Sequence, residues 1–187
     1  MTFFLPHRRI YRRGLHFLLL GCAMLLSACT SLPDGTEAVN DFELERYLGT
    51  WFEIARLDHS FERGLTDVTA TYSLRDDGGV KVVNRGYDVD ADDWDDAIGK
   101  AYFVDRPDVG RLKVSFFGPF YGGYNVLELD AANYQYALVA GPNRSYLWIL
   151  ARDPAIDRAI VDRLVEKARL LAFPVDELIY VTHERQP

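Results

Sequence analysis

The stretch "GTWFEIAR", residues 49–56, carries the information that decides the fold. Its β-branched and aromatic residues are typical of a strand, but it begins with a glycine, which weakens strand interiors. Gly49 therefore indicates a bend or a close approach of the backbone to another group. Trp51 needs an apolar site and an acceptor for its indole N–H. The stretch thus raises the question of which group lies against this tryptophan.

Short runs of the same β-branched and aromatic character recur along the chain with turn-forming residues between them. The segments "RDDGG" (75–79) and "LDAANY" (129–134) have the composition of tight hairpin turns. The eight predicted strands are 50–57, 67–75, 79–88, 97–105, 111–117, 124–130, 134–141 and 146–152. Short connections imply antiparallel neighbours, and closure of such a meander into an up-and-down barrel leaves no exposed edge.

Residues 153–173 depart from the strand pattern. Asp153 is suited to cap a helix and Pro154 to occupy its first position. Apolar residues then follow at helical spacing, at Ile156, Ile160, Leu164 and Leu171. The sequence therefore predicts an all-β fold, an eight-stranded antiparallel barrel, with one C-terminal amphipathic helix packed outside and a short final strand at 177–183.

Residues 1–28 are predicted to be a signal peptide, since a basic segment ("HRRIYRRG") precedes a short apolar run. The run ends in "LSAC", which resembles the bacterial lipobox, and this resemblance implies that Cys29 is acylated. A plain signal peptide and the earlier Cys22 are the alternatives; use of Cys22 would leave only a very short apolar run. Thr30 follows Cys29 where inner-membrane lipoproteins often have aspartate, which implies attachment to the periplasmic face of the outer membrane.

Residues 29–42 have no periodicity and are rich in turn formers, so they are predicted to be a lipidated tether, with the barrel domain at 43–187. Loss of the leader removes four arginines, so 17 basic residues remain against 28 acidic ones, a net charge of −11. Such an acidic chain repels phosphate backbones, which argues against nucleic acid as a partner. The anchor then has to provide the membrane contact.

The segments "YLGTWFEIAR" and "YLWILARDP" resemble the first and third signatures of the lipocalins. The resemblance covers nearly all of 47–183 and is strongest to the bacterial outer-membrane lipocalins, relatives of apolipoprotein D. It implies that the Arg152 guanidinium lies over the Trp51 indole at the closed end of the barrel, where Gly49 lets the chain turn in tightly. "GPNRSY" stands at 141–146 where many lipocalins have a T-D-Y signature.

The resemblance to the apolipoprotein D pocket also implies ligand-binding residues. It implies Tyr47 near the mouth, and Tyr72, Asn84 and Trp148 on the second, third and eighth strands. Strand alternation adds Phe116. The same alternation turns Glu53 inward together with Trp51, where a buried carboxylate needs a partner. The ligand's identity does not transfer, because polar residues of the related pocket are replaced here by Gly86 and Asp88.

These features predict a lipid-anchored binding protein for fatty acids or lysophospholipids, without a cofactor, and are compatible with a homodimer. The alternatives are a packed barrel without ligand and an enzyme acting on a lipid, although the chain has no G-x-S-x-G motif. The acidic segment "DVDADDWDD", 88–96, lacks the glycine and glutamate of an EF-hand loop. His59 and His183 have no metal-ligand spacing.

Overall fold

The computed structural model describes residues 30–185, so Cys29 lies outside the described residues. A short helix, α1 (Leu44–Tyr47), leads into the barrel. The strands are β1 Gly49–Arg56, β2 Leu65–Leu74, β3 Val80–Asp88, β4 Asp93–Phe103, β5 Arg111–Ser115, β6 Gly122–Leu129, β7 Tyr136–Ala140 and β8 Leu147–Ala151. Neighbours in sequence pair antiparallel, and β1 pairs with both β2 and β8, which closes the barrel. The predicted fold is confirmed.

A ninth strand fills a gap in the barrel wall. β1 pairs with β2 only from Gly49 to Phe52, and beyond this point β9 (Ile179–Tyr180) pairs with the end of β1. The following backbone also bridges the two strands, because the Asp67 N–H donates to the carbonyl of Thr182. The final strand was predicted at 177–183, but in the structure it spans only Ile179–Tyr180. Glu177 belongs instead to a 3₁₀ turn at Val175–Glu177.

The C-terminal helix, α2 (Arg158–Leu170), packs on the outside of the barrel and buries Val161, Leu164 and Ala168. The prediction that it begins at Asp153 and Pro154 is wrong. The cap is Asp157, whose carboxylate accepts the Ala159 N–H at 2.9 Å. Asp153 instead accepts the Ala155 N–H at 2.8 Å, which stabilises a separate turn before the helix. Both aspartates have a side chain that can cap a helix, and the helix begins after the second.

The predicted tether lies along the barrel wall in its described part. The Asn125 side-chain amide donates to the Ser31 carbonyl at 3.1 Å, and the Val39 N–H donates to the Val126 carbonyl at 2.9 Å. Phe42 is buried at the end of this segment. Folded contacts therefore begin within the predicted tether, upstream of residue 43, where the barrel domain was predicted to begin.

Within residues 30–185, none of the helices has the length and apolar character needed to cross a membrane.

Candidate functional site

The closed end of the barrel is built around Trp51. This side chain is completely buried, and its indole N–H donates to the Tyr47 carbonyl at 2.8 Å. The guanidinium carbon of Arg152 lies 4.0 Å from the centre of a Trp51 ring, a cation–π contact. The Arg152 nitrogens also donate to the carbonyls of Thr50, Arg46 and Leu48, at 2.8, 2.9 and 2.8 Å. Arg152 is therefore the group that lies against the tryptophan.

Gly49 makes this approach possible. Its φ of +91° is a conformation that side chains with a Cβ rarely adopt. A Cβ added at this position would also lie 3.3 Å from a terminal nitrogen of Arg152. The backbone turn thus strongly favours glycine, and a Cβ here would also require the Arg152 guanidinium to shift by a few tenths of an ångström.

The floor of the barrel carries three linked tyrosine hydroxyls. The Tyr124 hydroxyl lies 2.7 Å from that of Tyr47 and 2.8 Å from that of Tyr72. Burial raises the pKa of Tyr47 and of Tyr124, so both remain neutral. The expectation that Tyr47 lies near the mouth is wrong, because the residue belongs to α1 and its ring packs on Trp51 with a centroid distance of 4.6 Å.

Above this floor the barrel encloses a cavity of about 660 Å³. This volume lies within the range of about 300–1,000 Å³ that is typical of small-molecule sites. The structure brings the five predicted ligand-binding residues together in the lining of this one cavity: Tyr47, Tyr72, Asn84, Phe116 and Trp148. The Oδ1 atom of Asn84 is buried there and has no hydrogen-bond partner among the described residues.

Phenylalanines surround the mouth of the cavity. Phe61 lies in the β1–β2 loop and Phe117 and Phe120 in the β5–β6 loop, and all three line the opening. Their side chains are 56%, 81% and 75% exposed, respectively. An apolar ligand therefore meets apolar surface before it enters the barrel.

One wall of the cavity is polar, which the sequence indicated only through Glu53. An Arg56 terminal nitrogen donates to Glu53 Oε1 at 2.7 Å, so the buried carboxylate does have a partner. The other terminal nitrogen of Arg56 donates to the carbonyls of Glu62 and Leu65 at 2.8 and 3.2 Å. The Glu62 side chain turns back into the barrel, where it accepts the Trp148 indole N–H at 3.1 Å.

Burial raises the pKa of both Glu53 and Glu62, and the charge of Glu62 raises that of Glu53 further. Burial and the nearby Arg56 lower the pKa of His59 to about 4. This imidazole is stacked on Phe61 with a centroid distance of 4.2 Å. His59 is therefore neutral at pH 7, so its 3.5 Å contact with Glu62 Oε2 is not an ion pair.

Strand alternation from Trp51 correctly turns Glu53 inward. It would place Arg56 on the outer face of the barrel, whereas the structure places Arg56 beside Glu53. The register of β1 against β8 shifts between Glu53 and Ala55, which marks a β-bulge. This irregularity brings Arg56 to the inner face, and nothing in the sequence marks it. Glu62 and His59 lie in a loop, where alternation makes no prediction.

Comparison with known proteins places these features in a family. Residues 42–183 match the model of the lipocalin-like domain. The chain is 54% identical over 168 residues to outer membrane lipoprotein Blc of Vibrio cholerae, covering 90% of this chain and 98% of that protein. It is 55% identical over 161 residues to outer membrane lipoprotein Blc of Escherichia coli K12, covering 85% of this chain and 90% of that protein.

A solved structure shares the fold at lower sequence identity. Insecticyanin from the tobacco hornworm Manduca sexta superposes with a TM-score of 0.65 at 21% identity, over 83% of this chain and 88% of that chain. The fold therefore agrees with the family match. By the extent of that match and the identity to its relatives, this chain belongs to the lipocalin-like family.

Proposed function

We propose that this protein is a lipid-anchored lipocalin that binds fatty acids or lysophospholipids and stores or transports them for maintenance of the cell envelope under stress. The observation that carries the proposal is the cavity of about 660 Å³, which opens between exposed phenylalanines. Its walls are mainly apolar, with aliphatic residues such as Val82 and Leu112 beside aromatic ones.

An acyl chain fits the chemistry of these walls. Transfer of eight methylenes from water at ~0.8 kcal/mol each contributes roughly 6 kcal/mol before ordering costs. The few polar groups in the lining, among them the Asn84 amide, are suited to orient the polar end of such a ligand. A fatty acid and a lysophospholipid both combine one acyl chain with one polar end.

The anchor is proposed at Cys29, which ends the lipobox-like "LSAC". Two or more acyl chains give stable membrane attachment, whereas a single chain does not. The bacterial relatives are named outer membrane lipoproteins, which supports the outer membrane as the location of this protein. Thr30 after the cysteine supports the periplasmic face.

We propose binding without chemical turnover. The buried carboxyls in the cavity wall are already hydrogen-bonded to Arg56 and Trp148. In the lining that the structure describes, no hydroxyl or thiol is hydrogen-bonded to a carboxylate or imidazole that could act as its base. Incubation of the soluble domain with lysophospholipid should therefore release no free fatty acid. Sustained release above a buffer control would favour an enzyme instead.

Two measurements test the proposal directly. Titration of the domain with palmitate or a lysophospholipid should change tryptophan fluorescence with a stoichiometry of one ligand per barrel; no change with either lipid up to millimolar concentration would refute ligand binding. Separately, Cys29→Ala should move the protein from outer-membrane fractions to the soluble periplasm without altering ligand affinity. A variant that stays in the membrane would refute the anchor, and Cys22→Ala is the matched control.

A further inference from the structure

The polar wall of the cavity holds two carboxyl groups but one guanidinium. Glu53 and Glu62 both line the cavity and are only 3% and 5% exposed. Arg56 forms its side-chain ion pair with Glu53 alone, at 2.7 Å, and its other terminal nitrogen donates to backbone carbonyls. The Glu62 carboxylate receives the neutral indole N–H of Trp148. One of the two negative charges therefore has no cation of its own among the described residues.

The remaining neighbours do not supply a second cation. The titratable groups around the pair are Arg56 on β1, His59 in the β1–β2 loop and Tyr72 on β2, and the exposed Asp58 and Arg63 lie near His59. Arg63 donates to Asp58, and His59 is neutral at pH 7. Like charges in a buried pair favour retention of one proton between them. A retained proton balances the negative charge that Arg56 leaves uncompensated.

Unpartnered polar atoms around the same cavity point independently to a polar ligand group. Ser115 lines the cavity and is 5% exposed, and its hydroxyl has no hydrogen-bond partner among residues 30–185. Its strand, β5, lies opposite β1 in the eight-stranded ring. Asn84 also lines the cavity, and its buried Oδ1 atom has no hydrogen-bond partner in the described chain. Buried polar atoms are normally paired, so these atoms are available to a ligand.

We propose that Glu53 and Glu62 bind the primary ammonium group of a lysophospholipid headgroup, which takes the place of their shared proton. The ammonium N–H groups donate to both carboxylates, and the displaced proton leaves to water. No other bond forms or breaks, and the positive charge of the ammonium group replaces that of the displaced proton. This inference rests on the proposed function and narrows it to amine-bearing monoacyl lipids. A free fatty acid would instead bring a further negative charge towards the pair.

The test is isothermal titration calorimetry at pH 7 in phosphate and in Tris, whose ionisation enthalpies differ. The probes are lysophosphatidylethanolamine and lysophosphatidylglycerol of the same acyl chain, each below its critical micelle concentration. Binding of the ethanolamine lipid should release about one proton per lipid and be about ten- to a hundredfold tighter than binding of the glycerol lipid. The glycerol lipid should release no proton. Equal affinities without proton release would overturn the inference.

Glu62→Gln removes the charge and keeps the shape of the side chain. This variant should lose both the preference for the ethanolamine lipid and the proton release, while its affinity for the glycerol lipid stays within about twofold. The control is Glu128→Gln, since Glu128 pairs with Arg163 on the outside of the barrel. A Glu62→Gln protein with an unchanged preference would overturn the assignment. Failure of the wild-type protein to bind either lipid would refute the proposed function itself.

Discussion

Replacement of His59 by phenylalanine tests the burial of a neutral imidazole in the polar wall. His59 is stacked on Phe61 and lies 5.0 Å from Trp148 between ring centroids, so a phenyl ring retains its aromatic neighbours. The pKa of His59 is lowered from 6.5 to about 4 in the folded protein. The unfolded chain therefore binds this proton more readily than the folded chain does. The stability that His59 contributes is complete above about pH 6.5 and is lost as pH falls towards 4.

The size of the effect follows from 1.36 kcal/mol per pKa unit. Between pH 7 and pH 5 the wild-type protein should lose about 2 kcal/mol that His59→Phe does not lose. The buried glutamates contribute to the pH dependence with the opposite sign, because burial raises their pKa values. They are present in both proteins, so the difference between the two isolates His59. Urea unfolding at pH 7, 6 and 5 measures it, and parallel pH profiles would refute a buried neutral His59.

Further predictions concern the closed end and the cavity. Trp51→Ala should lower the free energy of unfolding by about 3–5 kcal/mol, and Arg152→Lys by about 1–3 kcal/mol because one ammonium cannot replace the guanidinium fork; wild-type urea midpoints would contradict both. Trp148→Phe should remove most of the ligand-induced fluorescence change, since Trp148 is the tryptophan in the cavity lining; a full signal in this variant would place the ligand elsewhere. Phe116→Trp should weaken lipid binding while the fold stays intact, whereas a loss of about 1–3 kcal/mol of stability with unchanged binding would indicate a filled core.

The barrel could be predicted from the sequence because its strands and turns are marked by patterns among residues that are close together in the chain. Two-residue alternation and turn composition identify strands, and short connections fix antiparallel neighbours. The closed end was predicted in a different way, from the resemblance of the segments around Trp51 and Arg152 to lipocalin signatures, and the structure places the guanidinium over the indole. The lining residues predicted from alternation, such as Phe116, follow from the same period.

The polar wall could not be predicted in this way, since its geometry depends on irregular backbone. The β-bulge after Glu53 changes the face of Arg56, and alternation assumes that no such residue is inserted. Glu62 reaches the cavity from a loop whose path is set by the hydrogen bonds of Arg56 to its carbonyls. The start of α2 was misplaced for a related reason, because Asp153 and Asp157 carry equal capping signals and tertiary packing decides between them.

The last prediction concerns Glu53, Arg56 and Glu62 in the polar wall. It asks whether these residues are needed for the stability of the fold or for the selection of the ligand. Arg56→Met should lower the free energy of unfolding by about 3–5 kcal/mol, because it leaves two buried carboxyls without a cation. The combined Glu53→Met, Arg56→Met and Glu62→Met variant removes the charges together, so its stability should lie within about 2 kcal/mol of the wild type despite two carbonyls left without Arg56.

Urea unfolding compares the two variants, and lipid titrations follow on any that fold. A triple variant that binds acyl chains but no longer distinguishes amine-bearing headgroups would mean that these residues serve ligand selection and not the fold. A triple variant less stable than Arg56→Met would contradict this division. In that case the polar wall would be required to hold the β1–β2 loop in place, through the bonds of Arg56 to the carbonyls of Glu62 and Leu65.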